Sequence, residues 1–80
     1  MRYLTQAQYD ILKCIEDYIK TNGFPPTYRE IAALTNRTSI STIYCHLRLL
    51  KKKGYITIQE GCSRTIKIMV PFNENSIEKV

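Results

Sequence analysis

Apolar residues recur at helical spacing in the first part of the chain, where Ile11, Leu12, Ile15, Tyr18 and Ile19 fall on one side of a helical projection. Thr5 followed three residues later by Gln8 has the spacing of a capping box, so the pattern predicts a helix over about Gln6 to Thr21. Gly23 suits the left-handed residue that closes a helix, Phe24 can fold back beyond it, and Pro25 and Pro26 forbid continuation. Cys14 lies beside the apolar stripe, which makes core packing its expected role. Thr27 and Glu30 repeat the capping-box spacing and open a short second helix with Ile31, Ala32 and Leu34 facing inward. Asn36 tolerates a left-handed backbone, so Thr35 to Thr38 reads as a tight turn between helices. Ser39 or Thr38 then caps a third helix that reaches about Lys53 and stops at Gly54. Its buried face is Ile40, Ile43, Leu47 and Leu50. At about 100° per residue, Ser41, Thr42, Cys45, Arg48 and Lys52 point away from that face, with Tyr44 and Lys51 on its border.

After Gly54 the period shortens to two. Tyr55 to Gln59 and Thr65 to Ile68 alternate as paired strands do, with a turn around Glu60 and Gly61. Alternation puts Ile56, Ile58, Ile66 and Ile68 on one face that can close the core, while the loop carrying Ser63 and Arg64 projects outward. Pro71 ends the pairing, and Phe72 to Val80 is a weakly patterned tail. The expected fold is mostly α with a small β-hairpin: a winged helix-turn-helix of three helices plus a two-stranded antiparallel wing, residues 1–70, followed by a C-terminal tail, residues 71–80.

Eighty residues, 44% of them apolar, make one domain with a compact core and little room for an enzyme cleft. Apolar runs are short, and the N-terminus opens on Arg2 and Thr5 without an apolar leader, so neither a signal peptide nor a membrane span is expected. That places the protein in the cytoplasm. The three cysteines, Cys14, Cys45 and Cys62, are odd in number and widely spaced, which suits reduced thiols better than disulfides or zinc ligands. His46 beside Cys45 has no second ligand pair, and neighbours on a helix diverge, so no metal or other cofactor is expected. One histidine, no Gly-rich phosphate loop and no nucleophile with a base leave enzyme readings unsupported.

Charge is informative through its distribution. The net charge is +5. Basic and acidic residues balance up to Asn36, whereas Arg37, Arg48, Lys51, Lys52, Lys53, Arg64 and Lys67 face only Glu60 in the stretch to Val70. A concentrated cationic stretch suits a polyanion, because neutralising phosphates releases condensed counterions. The other reading of Lys51 to Lys53 alone is a solvated helix end.

Three helices and a hairpin also serve in protein-protein contacts, so function has to come from the exposed face. The start of the third helix exposes Ser39, Ser41, Thr42 and Cys45, small enough for the helix to enter a major groove about 12 Å wide and meet base edges. Tyr44 can reach a thymine methyl or a phosphate from the border. Arg48, Lys51 and Lys52 lie further along, where the helix leaves the groove beside a phosphate strand. Thr27, Arg29 and the amides opening the second helix suit a phosphate, although Thr27 and Ser39 also read as plain caps and Arg29 as a surface residue. On the wing, Arg64 can enter the minor groove or grip a phosphate, with Ser63 and Lys67 as further backbone contacts.

These residues also carry a family resemblance. Leu4-Thr5, Thr21, Gly23, Pro25-Pro26-Thr27, Glu30-Ile31-Ala32, His46-Leu47, Leu50, Lys53-Gly54, Ile56, Ser63-Arg64 and Ile66 resemble the amino-terminal domain of LexA-type repressors over about residues 1 to 70. The resemblance implies a winged-helix repressor that binds a palindromic operator as a dimer and reads bases with Ser39, Ser41, Thr42, Tyr44 and Cys45. Family members of the best-known type carry asparagine at the position of Ser41 and glutamates at those of Tyr44 and Cys45, so the usual operator is not implied. The family's self-cleaving carboxy-terminal half has no counterpart in this chain, and self-cleavage is not expected of it. Leu49 and the tail residues Phe72 and Ile77 are either self-association surfaces or packed on the domain's own hairpin.

The leading expectation is therefore a sequence-specific double-stranded DNA-binding repressor acting at the nucleoid, without membrane or small-molecule partners. The alternative is a winged-helix protein-interaction module that binds a larger regulatory or replication protein.

Overall fold

The computed structural model describes residues 3–36, 39–59, 61 and 64–77. Three helices, α1 (Gln6–Asn22), α2 (Tyr28–Leu34) and α3 (Ile40–Lys52), precede two antiparallel strands, β1 (Ile56–Thr57) and β2 (Lys67–Ile68), and a 3-10 turn at Glu74–Ser76. This is the winged helix-turn-helix that the hydrophobic pattern predicts. Of the expected features, Arg37, Thr38, Glu60, Cys62 and Ser63 lie outside the described residues.

Local chemistry sets the helix ends. The Thr5 hydroxyl accepts from the Gln8 N–H at 3.1 Å and the Gln8 side chain accepts from the Thr5 N–H at 3.0 Å, closing the first capping box. Gly23 stops α1 with φ 81° and donates its N–H to the Ile19 carbonyl at 2.8 Å. A side chain added there meets nothing within 4 Å, so the backbone sign, not space, requires glycine. Thr27 and Glu30 close the second box, with 3.2 Å from the Glu30 N–H to the Thr27 hydroxyl and 2.8 Å from the Thr27 N–H to the Glu30 carboxylate. A helix of seven residues depends on such caps, because so short a segment is marginal by itself. Asn36 takes the left-handed backbone at φ 58°, and Ser39 caps α3 through a longer bond of 3.4 Å from the Thr42 N–H.

The core lies where the three helices meet the sheet. Ile11, Leu12 and Ile15 of α1, Ile31 of α2, and Ile43, Leu47 and Leu50 of α3 are fully buried, and Ile56 and Ile66 close the open side. The register pairs Ile56 with Ile68 and Thr57 with Lys67, which keeps the isoleucines on the core face and Lys67 outside. Paired strand is shorter than the alternation predicts because side chains take over: the Thr65 hydroxyl accepts from the Gln59 N–H at 3.0 Å and donates to the Gln59 carbonyl at 3.3 Å.

Two expectations differ in detail. Leu34 is 60% exposed and Ile40 41% exposed, although both fit an inward helical spacing. Each is a terminal residue of its helix, where the neighbouring turn that would complete a pocket is missing. Leu49 stays half-exposed on α3. The segment after Pro71 packs back on the domain: Phe72 meets Tyr9 edge-on at 5.8 Å, the Leu4 N–H bonds the Ser76 carbonyl at 2.8 Å, and Leu4 pairs with Ile77 in a parallel bridge. Lys53 joins the same end of the molecule, donating to the Tyr3 carbonyl at 2.6 Å and to the Gln8 side chain at 2.8 Å. That contact gives the buried Gln8 Oε1 a second donor and separates Lys53 from the exposed run Lys51–Lys52.

Candidate nucleic-acid interface

The exposed side of α3 divides by residue size. In its first half Ser41, Thr42 and Cys45 are exposed and small, and Ser39 is half-buried at the cap. Helical geometry puts Ser41, Thr42 and Cys45 on the side away from the buried Ile43 and Leu47, where they face solvent. Tyr44 is 41% exposed and braced from two sides: the Tyr28 ring lies 6.0 Å away at 49°, and the Arg48 guanidinium lies 5.9 Å from the Tyr44 centroid. Tyr28 escaped the sequence reading. Its signal is position, an aromatic residue directly after the Thr27 cap where α2 meets α3.

Cations surround this small-residue face. Arg48, Lys51 and Lys52 are exposed along the second half of α3, Arg29 is exposed on α2, and Lys67 projects from the outer face of β2. Lys51 and Lys52 also lie in the last turn of α3, where the negative end of the helix dipole favours positive charge. Thr27 is half-buried, and its hydroxyl accepts from the Glu30 N–H, which leaves the hydroxyl proton for an outside acceptor. Between α2, α3 and the wing runs a groove of about 700 Å³, lined by Thr27, Tyr28, Arg29, Ile40, Tyr44, Ile58 and Gln59 among others. Of the candidates, Thr27, Arg29, Tyr44 and Arg64 border this groove, whereas Ser39, Ser41, Thr42, Cys45, Arg48, Lys51, Lys52 and Lys67 do not line it.

Arg64 sits at the far rim of that groove, in a different setting from the other cations. Its guanidinium lies 2.9 Å from one oxygen of Glu30, donates at 3.1 Å to the other, and donates at 3.1 Å to the Pro25 carbonyl. The Thr27 backbone N–H, the Arg64 guanidinium and the Tyr18 hydroxyl all stabilise the Glu30 anion, which pushes its pKa down to about 2. Ser63, the other wing candidate, is outside the described residues.

Thiol and metal chemistry find little here. Cys45 is exposed and Cys14 half-buried, where burial pushes its thiol pKa up, away from reactivity. Among the described residues no three His, Cys, Asp or Glu side chains gather as a metal site, and no helix is long and apolar enough to cross a membrane.

Comparison with known proteins agrees with this geometry. The family model described as LexA DNA binding domain matches residues 1–65. The chain is 41% identical over 68 residues to the LexA repressor of Citrifermentans bemidjiense, covering 85% of this chain and 34% of that protein. It is 43% identical over 68 residues to the LexA repressor of Caldicellulosiruptor saccharolyticus, with the same shares of 85% and 34%. Against the LexA repressor of Staphylococcus aureus (strain USA300) it is 39% identical over 69 residues, 86% of this chain and 33% of the relative. The chain therefore spans about a third of the length of the curated relatives it matches.

Proposed function

The chain belongs to the LexA DNA-binding domain family, and from that premise we propose that it binds double-stranded DNA sequence-specifically and represses transcription. The observation that carries this reading is the small-residue start of α3 flanked by exposed cations on α2, α3 and β2. In this reading α3 enters the major groove, and Ser39, Ser41, Thr42, Tyr44 and Cys45 meet base edges. Thr27, Arg29, Arg48, Lys51, Lys52 and Lys67 hold the phosphate strands on either side. Ser63 belongs with them by its position in the sequence.

One recognition helix offers only a few base contacts, so useful affinity calls for two half-sites. We propose that two copies bind a palindrome, since engagement of the second half-site becomes effectively intramolecular. The cytoplasm, at the nucleoid, is the corresponding place of action. Hydroxyl, phenol and thiol groups at positions 41, 44 and 45 set a base preference distinct from that of relatives with amide and carboxylate groups there.

Selection from a random pool of duplexes tests the proposal. The expected result is a palindromic motif bound about a thousandfold more tightly than scrambled DNA at near-physiological salt. Weak, salt-sensitive binding without an enriched motif would instead assign the basic face to an acidic protein partner.

A further inference from the structure

Arg64 makes a two-pronged contact with Glu30, at 2.9 Å and 3.1 Å, the fork geometry in which guanidinium and carboxylate bind most specifically. The same guanidinium donates to the Pro25 carbonyl at 3.1 Å and lies 4.8 Å over the Phe24 ring. Glu30 is itself held from the other side, by the Thr27 N–H at 2.8 Å and the Tyr18 hydroxyl at 3.0 Å. Its two oxygens therefore serve donors from α1, the cap of α2 and the wing. Arg64 also has φ 58°, a backbone state that non-glycine residues adopt when their surroundings impose it. Both Nη1 and Nη2 are engaged in this frame, so a phosphate that takes those bonds competes with Glu30 and Pro25.

We propose that Arg64 is a positioning residue for DNA binding: clamped on Glu30, it fixes the wing against the start of α2 so that β2 and α3 meet the duplex in a set relation. The proposal rests on the DNA-binding reading and deepens it, assigning Arg64 a role through Glu30 in place of direct phosphate contact. The two roles predict opposite signs at Glu30. If Arg64 grips a phosphate, removing the Glu30 charge frees the guanidinium and removes an anion near DNA, so binding tightens. If Arg64 positions the wing, the same change weakens specific binding.

The test is a double-mutant cycle on the selected duplex with Glu30→Gln, Arg64→Ala and the pair together. Glutamine keeps the capping-box acceptor for the Thr27 N–H, so α2 stays capped. The expected result is a loss of about fivefold in specific affinity for Glu30→Gln, a loss at least as large for Arg64→Ala, and no further loss in the double variant. Tyr18→Phe, which removes one hydroxyl, is expected to give a smaller loss in the same direction. Tighter or unchanged binding by Glu30→Gln, or additive losses in the double variant, overturns the proposal. Hydrogen exchange in the DNA-free protein tests the anchor separately. The Gln59 amide, bonded to Thr65 in the wing, is expected to exchange faster in both single variants. Unchanged exchange there overturns the anchoring role, whereas failure of the wild-type domain to select any duplex overturns only the DNA reading.

Discussion

On the outer side of α1, Lys13 lies 3.4 Å from Glu16 and 3.7 Å from Asp17, and Lys20 lies 3.6 Å from Glu16. These are helical pairs at spacings of three and four residues, and they leave that surface locally neutral. On α2, α3 and β2, Arg29, Arg48, Lys52 and Lys67 are exposed with no carboxylate in ion-pair contact among the described residues. Both surfaces use the same residue types, so composition does not distinguish them. Ion pairing among the described residues does: Lys13 and Lys20 lie against carboxylates of their own helix, whereas Arg29, Arg48, Lys52 and Lys67 have none in reach, with Arg64 on Glu30 as the paired cation of that side.

The strongest way to break the comparison is to reverse charges on each face. Arg29→Glu, Arg48→Glu and Lys52→Glu together are expected to weaken duplex binding by about a hundredfold or more, because each lost phosphate contact returns condensed counterions. Lys13→Glu with Lys20→Glu is expected to leave the same anisotropy titration nearly unchanged. Within the cationic face, Ser41→Arg is expected to change the preferred sequence, with about 1–3 kcal/mol of discrimination redistributed at the base pair it meets. A second duplex selection with that variant checks it, and a uniform loss across sequences counts against base reading at position 41.

The two capping boxes give a finer comparison, since they share one chemistry at the starts of different helices. Thr5→Ala and Thr27→Ala are each expected to cost about 1 kcal/mol in chemical denaturation. Only Thr27→Ala is expected to lower DNA affinity as well. The smallest effect is acid-linked. Glu30 has its pKa held down to about 2 from 4.5 by the Thr27 N–H, Arg64 and Tyr18, so its stabilisation is complete above pH 4.5 and fades as pH falls toward 2. The difference in Tm between the wild-type chain and Glu30→Gln is therefore expected to be constant above pH 5 and to close below pH 4.5.

Much of this was legible in residue order because local signals agreed with tertiary ones. Both capping boxes, the Gly23 stop and the isoleucine alternation of the wing need only near neighbours, and each stands where the pattern puts it. The small exposed side chains of α3 followed from helical angle once Ile43, Leu47 and Leu50 defined the buried face. Contacts between distant parts of the chain were not legible. Nothing in the spacing of Arg64 and Glu30, 34 residues apart, or of Lys53 and Tyr3, 50 apart, marks them as partners. Leu34 and Ile40 misled for a related reason: periodicity assigns a face but not whether a neighbour covers the last turn.

The central claim is that DNA meets the cationic face of α2, α3 and β2 and not the self-paired face of α1, and amide chemical-shift mapping during titration with a selected duplex tests it directly. The account predicts the largest shifts at Ser39, Ser41, Thr42, Tyr44 and Cys45, with further shifts at Arg29 and Lys67 and almost none at Lys13, Asp17 and Lys20. Shifts concentrated on α1, or spread evenly over both faces, would contradict it.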